Sequence, residues 1–160
     1  MDRRRVLDAV LVAAEQQLAQ ATRAARETHA EATHEEARPE NAKDTRALEQ
    51  TYLARGQSAR VEELTGELTR LRALTLQRFD EGAPVALTAL VLLEDDEGAS
   101  RWHMLLPGAG GLKVSVDGEA VLVITPSTPL GEALLGRVVG DVVEVRVQGR
   151  PRERTIVRVA

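Results

Sequence analysis

The first half of the chain places small and apolar residues at alternating steps of four and three, the spacing of a helical seam. One seam runs through Leu7, Leu11, Ala14, Leu18, Ala21, Ala25, Thr28 and Ala32, and a second through Ala47, Gln50, Ala54, Gln57, Val61, Leu64, Leu68 and Leu71. Strong helix formers crowd the same stretch. The pattern predicts helix from Val6 to about Leu76, interrupted once.

The two seams mirror each other, because paired residue numbers such as 7 and 68, or 25 and 50, sum to 75. Folding the chain back on itself between Ala37 and Arg38 therefore brings seam against seam. Pro39 independently favours a break there, since proline is tolerated at the first turn of a helix and restricts the residue before it. We interpret residues 1–79 as an antiparallel coiled-coil hairpin with its tip near residues 35–41.

From Asp80 onward the helical period stops and strand-like alternation takes over. Strands are predicted at Val85–Leu93, Ser100–Leu106, Leu112–Val116, Ala120–Ile124, Val142–Val147 and Thr155–Val159. A short helix is predicted at Leu130–Leu135, with Pro129 at its start and Gly136 just past its end. Residues 80–160 should therefore form a small antiparallel sheet with one helix, which makes the fold class α+β.

Composition narrows the function classes. The 160 residues include no cysteine, which excludes disulfides and a cysteine-ligated zinc site. The net charge of -4 argues against broad electrostatic binding to free nucleic acid and favours a protein partner. No signal peptide and no membrane-spanning run is recognisable. We expect a cytoplasmic monomer.

Four carboxylates crowd the predicted tip: Glu35, Glu36, Glu40 and Asp44. Glu35 and Glu36 would sit at a helix C-terminus, where negative charge is unfavourable, so local stability does not explain them. One interpretation is a solvated turn. The other is a slender rod that carries oxygen ligands to a cation held elsewhere, for which Mg²⁺ is the suitable ion.

Two segments carry a resemblance to a known family. HEEARPENAKDTRALEQ followed by ARGQSARVEELTGEL resembles the tip and descending helix of the Gre transcript-cleavage factors, and ITPSTPLGEALLGRVVGDVVEV resembles their C-terminal domain. The specific motif residues are Ser127, Thr128, Pro129 and Leu130, then Leu135 and Gly136, then Val139, Gly140 and Asp141. The resemblance covers nearly the whole chain, but between Pro84 and Gly118 it is one of pattern alone.

The resemblance implies an FKBP-like C-terminal domain that docks at the secondary channel of bacterial RNA polymerase. Thr125, Ser127, Pro129 and Leu130 would lie on the docking loop. The hairpin would enter the channel, where the tip residues Glu35, Glu36, Glu40, Asn41 and Asp44 assist the polymerase. Glu36 and Glu40 would share a Mg²⁺ with it. The chain would thus be an accessory factor with no catalytic residue of its own, stimulating cleavage of backtracked transcripts.

The tip departs from the family pattern of aspartate, two residues, glutamate, asparagine. Glu40 and Asn41 match its second half, but the aspartate position falls on Ala37. Stimulation of cleavage and a cleavage-inactive modulator that competes for the polymerase therefore both stay open. Arginines on both helices, among them Arg26 and Arg55, leave contact with the transcript 3′ end open beside ordinary solvated charge.

Two other classes remain as alternatives. An FKBP-like chaperone or prolyl isomerase needs an aromatic-lined pocket, but Trp102 is the only aromatic residue in the sequence from 80 to 160. A structural coiled-coil adaptor would leave the tip carboxylates without a purpose. His103 is a strand residue for which the sequence shows no partner.

Overall fold

A computed structural model describes residues 1–36, 45–147 and 149–160, with backbone alone for residues 31–36, 45–51 and 147. The chain forms two compact units. One contains Met1–Ala13 together with Glu67–Ala160, and the other contains Ala14–Gly66. The boundary between residues 79 and 80 inferred from the change of period remains a prediction.

Two long helices account for the N-terminal half, α1 (Arg3–Glu36) and α2 (Thr45–Arg72). The predicted seams are confirmed wherever side chains are described: from Leu7 to Thr28 and from Ala54 to Leu71, every seam residue is buried or half-buried. Val6 and Val10 are fully buried as well, so the apolar face of α1 is wider at its start than the seam. Helix α2 ends at Arg72, four residues before the predicted end at Leu76.

Within the unit Ala14–Gly66 the two helices lie side by side. One groove between them is lined by α1 residues from Thr22 to Ala30 and by Ser58, Val61 and Glu62 of α2. In a parallel arrangement with this pairing, the end of α1 at Glu36 and the start of α2 at Thr45 would lie about 37 Å apart. The nine residues from Glu36 to Thr45 span at most roughly 32 Å when fully extended, so they could not connect the two ends. The helices are therefore antiparallel, as predicted.

The register of this pairing differs from the prediction. The predicted mirror would place Ala25 opposite Gln50 and Val61 opposite Ala14, yet Ala25 and Val61 line the same groove. A second groove agrees, because it joins His29 to Ala54 and Ser58. The pairing is thus displaced along α2 toward higher residue numbers. The turn predicted at Ala37 and Arg38 lies outside the described residues.

Six strands and one short helix follow. Their bounds are β1 (Leu90–Asp95), β2 (Ser100–Leu105), β3 (Lys113–Val116), β4 (Glu119–Ile124), α3 (Pro129–Leu134), β5 (Val142–Val147) and β6 (Arg150–Val159). The sheet order is β3-β4-β2-β1-β6-β5. All six predicted strands and the helix are present, so the α+β class is confirmed.

Strand β1 begins at Leu90 rather than at Val85 because the backbone turns just before it. Thr88 adopts a φ of 73°, a left-handed conformation incompatible with an extended strand. Its amide donates to the carbonyl of Leu105 at 2.8 Å, and its hydroxyl accepts from the amide of Gln77 at 3.0 Å. These bonds satisfy the polar groups of a residue that is 1% exposed.

The sheet is not entirely antiparallel, which corrects the prediction. Strands β2 and β4 are parallel, with Trp102 beside Val121 and Leu105 beside Ile124. The reason is topological, because β3 occupies the outer edge and turns into β4 through Asp117 and Gly118 (φ 56° and 82°). Strand β4 then lies between β3 and β2 and runs in the direction of β2.

One face of the sheet carries the core and receives α3. The buried cluster consists of Val85, Ala89, Val91, Leu93, Leu105, Ile124, Leu134, Val143 and Ile156. Leu134 comes from α3, so the helix is held against the sheet by its own buried side chain. The loop between β4 and α3 is consequently anchored at both ends. Among the described helices, none has the length and apolar character needed to cross a membrane.

Candidate functional site

The predicted docking loop, residues 125–130, joins the end of β4 to the start of α3. Ser127 and Pro129 are exposed, whereas Thr125 and Leu130 are half-buried. The loop therefore presents a hydroxyl and a proline ring to solvent, while its flanking residues attach it to the sheet and helix.

Hydrogen bonds hold the loop in one conformation. The Thr128 hydroxyl donates to the Thr125 carbonyl at 2.7 Å and accepts from the amide of Gly131 at 3.2 Å. Thr128 is thus the N-cap of α3, with an extended φ of -83° and ψ of 148°. The hydroxyls of Thr125 and Ser127 lie 2.9 Å apart. Thr128 is therefore the residue that caps α3, and Ser127 remains exposed.

Gly131 is required for the loop to close on the helix. A Cβ at this position would lie 2.0 Å from the carbonyl oxygen of Thr125 and 3.0 Å from the Thr128 hydroxyl. The first distance is far below van der Waals contact, and the atom it meets belongs to the backbone. Only glycine allows the end of β4 to approach the first turn of α3 this closely.

The segment after α3 completes the motif. The Gly136 amide donates to the carbonyl of Val85 at 2.8 Å, and the Val85 amide donates to the carbonyl of Arg137 at 2.7 Å. An Asp141 carboxylate oxygen accepts from the amide of Val138 at 3.0 Å. The glycine and aspartate of the motif therefore have local roles in shaping this turn.

Three apolar side chains near this turn are exposed: Leu135 by 40%, Val139 by 49% and Val142 by 53%. Leu135 and Val139 belong to the motif of the family resemblance, whereas a binding role was predicted for none of the three. Val142 begins the edge strand β5, where Val143 faces the core and Val142 faces away. The alternation of the valines was visible in the sequence, but which valine faces solvent was not.

The tip residues are only partly described. Glu35 and Glu36 are the last two residues of α1, and their side chains lie outside the described part. Glu40, Asn41 and Asp44 fall entirely outside it, as does Ala37. Within residues 1–36, 45–147 and 149–160, no group of three or more potential ligands could hold a metal ion. The shared Mg²⁺ at Glu36 and Glu40 remains a prediction.

His103 does have a partner. It is 3% exposed on β2, and its Nδ1 lies 3.1 Å from the carbonyl oxygen of Arg101. Because a carbonyl oxygen only accepts, the Nδ1–H of the neutral ring donates this hydrogen bond. The pKa of His103 is lowered to about 4: burial is the largest cause, the Arg101 carbonyl acts in the opposite sense, and the charges of Arg154 and Arg101 add to the lowering. The ring is neutral at physiological pH.

Comparisons with solved structures give matches over most of the chain. GreA factor homolog 1 (Gfh1) of Thermus thermophilus is 22% identical, with 95% of each chain covered and a TM-score of 0.40. Thermus aquaticus Gfh1 is 23% identical, with 95% of this chain and 94% of that chain covered and a TM-score of 0.41. The prokaryotic transcription elongation factor GreA/GreB from Nitrosomonas europaea is 24% identical, covering 62% of this chain and 78% of that one, with a TM-score of 0.39.

No family model and no curated protein matches the chain. Identities and TM-scores of this size carry no argument about activity. The function must therefore be argued from the residues of this chain.

Proposed function

We propose that the chain is a Gre-type accessory factor that binds bacterial RNA polymerase at its secondary channel and regulates transcript elongation. The docking loop would contact the polymerase, and the tip of the helical hairpin would act at the polymerase active site. The factor itself carries no catalysis; the polymerase hydrolyses the RNA.

The observation that carries the proposal is the construction of the docking loop. The loop and the turn after it contain residues of two kinds: Thr128 and Gly131 hold the loop closed, while Ser127 and Pro129 face solvent. Stability of the fold explains the first pair, and it explains Pro129 as the proline at the first turn of α3. Ser127 contacts the Thr125 hydroxyl and is otherwise exposed, so it is the residue of this rigid loop that is available to a partner. A surface held this firmly is suited to binding without an ordering cost.

The docking loop is tested by a bulky, charged substitution at its exposed position. Ser127→Arg is expected to weaken binding to purified RNA polymerase at least tenfold, measured by competition against a fluorescently labelled wild-type factor. Ser115, an exposed serine on β3, supplies the matched control Ser115→Arg. Equal affinity in both variants, with folding intact by circular dichroism, would show that the partner or the surface is wrong.

The tip is tested separately, on a backtracked polymerase complex. A second Mg²⁺ at the active site would lower the pKa of the attacking water and offset charge on the leaving oxygen. We infer that Glu36 and Glu40 help to hold it. Shortened RNA with the wild-type factor, lost in Glu40→Ala while binding persists, is the expected result. Retained cleavage in that variant would place the metal ligand elsewhere.

Ala37 supports a second candidate within the same class. Because it occupies the position of the family's aspartate, the factor would bind the polymerase and compete with cleavage factors without stimulating cleavage itself. The same assay separates the two: competition without RNA shortening is the result expected of a modulator. Restoring the acid with Ala37→Asp should then produce cleavage.

The prolyl isomerase alternative is less well supported by the sheet domain. The cleft on its core-bearing face contains Trp102 as an aromatic residue, but it also contains Arg101, Lys113 and Arg154. A proline-binding pocket is apolar and aromatic, so this lining does not favour it.

A further inference from the structure

A cleft of about 430 Å³ opens on the core-bearing face of the sheet. Its floor comes from β2 and β4, where His103 pairs with Leu122, and Leu130 of α3 forms part of its wall. The volume falls in the range of small-molecule sites, about 300–1,000 Å³. The cleft thus has the dimensions of a ligand site and an apolar side.

Its polar lining is mainly cationic. Arg101 and Lys113 are exposed at the cleft, Arg154 enters from β6 and is half-buried, and Glu119 contributes one carboxylate. The same charges act on the buried ring at the floor: after burial itself, Arg154 and Arg101 contribute to lowering the pKa of His103. The cleft is therefore electropositive, with three cationic side chains against one carboxylate.

Arg154 gives the main evidence that the cleft binds a ligand. Its Nε and Nη1 atoms are buried and have no hydrogen-bond partner among the residues that the structure describes. Buried donors without acceptors are costly, and a guanidinium cannot escape the cost by losing its proton. No residue in the described part of the chain supplies the missing acceptor.

The carboxylate that stands opposite Arg154 across the sheet is already engaged. Asp95 stands opposite Arg154 in the β1–β6 pairing. One of its oxygens accepts from the amides of Glu97 at 3.2 Å and Ala99 at 2.8 Å, which closes the turn between β1 and β2. Asp95 interacts electrostatically with Arg154 but accepts no hydrogen bond from its Nε or Nη1 atom.

We propose that this cleft is a binding site for a small-molecule oxyanion, a phosphate or carboxylate group joined to an apolar part. Arg154 is its principal ligand, because the planar guanidinium offers parallel N–H donors that match two oxygens of one anion. Lys113 and Arg101 add charge at the rim, and Leu122 and Leu130 contact the apolar part.

The test is the thermal unfolding of the full chain with pyrophosphate or citrate, compared with sodium chloride at equal ionic strength. The two anions distinguish a phosphate site from a carboxylate site. The anion that matches the site is expected to raise Tm by about 3 °C at ten times its dissociation constant, in a saturable manner, and the other anion is expected to raise it less. Arg154→Met is expected to remove the response.

Two features of the variants keep the test decisive. Arg154→Met eliminates a desolvated charge, so without ligand it should be at least as stable as the wild type. Arg158→Met, on the same strand but outside the cleft lining, should respond like the wild type. No saturable rise with either anion, or an equal rise in Arg154→Met, would overturn the proposal.

Discussion

Acid should destabilise the sheet-containing unit through one residue, His103. The side chain is 3% exposed, and its pKa in the folded state is lowered from 6.5 to about 4. In the unfolded chain the ring has its ordinary pKa near 6.5. Between pH 6.5 and pH 4 the unfolded state therefore binds a proton that the folded state does not, so the free energy of unfolding falls as the pH is lowered.

The size of the effect follows from the two pKa values. Lowering the pH from 7 to 4.5 should cost about 2.5 kcal/mol, and the full loss below pH 4 should be about 3 kcal/mol. At about pH 8 and above the ring is neutral in both states, and His103 adds no pH dependence. Because typical domains are stable by about 5–15 kcal/mol, a loss of this size is readily measured.

The assay is urea unfolding at pH 7.0 and pH 4.5, followed by fluorescence of Trp102, the single tryptophan of the chain. Trp102 adjoins His103 on β2, so the signal reports the unit in question. Carboxylates also titrate in this range, and the comparison must therefore be between variants. His103→Gln should reduce the acid-induced loss by about 2.5 kcal/mol. An equal acid-induced loss in wild type and His103→Gln would refute the reasoning.

Substitutions at three further positions test the loop and helix geometry, each by urea unfolding. Gly131→Ala should cost 3 kcal/mol or more and abolish polymerase binding, because the new Cβ would lie 2.0 Å from a backbone oxygen; wild-type stability would contradict that contact. Gly56→Ala, in open space on α2, should instead raise stability by about 1 kcal/mol, and a loss there would mean that the position is not freely helical. Thr128→Ala should cost about 1 kcal/mol through loss of the cap, with Thr128→Ser recovering most of it; no recovery would argue against the hydroxyl as the stabilising group.

The sequence predicted those features that depend on local periodicity. The steps of four and three identified the buried faces of α1 and α2, and alternation identified all six strands. The helix register was wrong for a physical reason. Seam residues such as Ala25 and Thr28 are small and resemble one another, so sliding one helix along the other still brings seam against seam.

Features that depend on distant partners could not be predicted. The parallel pairing of β2 and β4 depends on which strand takes the outer edge, and no local pattern records that choice. Arg154 appears in the sequence as one of several arginines in an alternating charged strand. Its buried, unpartnered nitrogens become apparent only in the folded sheet. By contrast, the cap at Thr128 and the close approach at Gly131 lie within six residues of Thr125, so they depend on local sequence alone.

The interior position of β6 has a consequence for how the sheet assembles and fails. Strand β6 pairs on one side with β1, some sixty residues earlier, and on the other with β5. Pairing across such sequence separation forms slowly, so the two helices, rich in local contacts, should be in place well before the sheet closes. Until β6 inserts, β1 exposes a row of unpaired amides and carbonyls, and β5 lacks its neighbour altogether. The opportunity for misassociation between copies of the chain is therefore concentrated in this interval, and a substitution that delays β6 should increase aggregation even where the finished fold tolerates it.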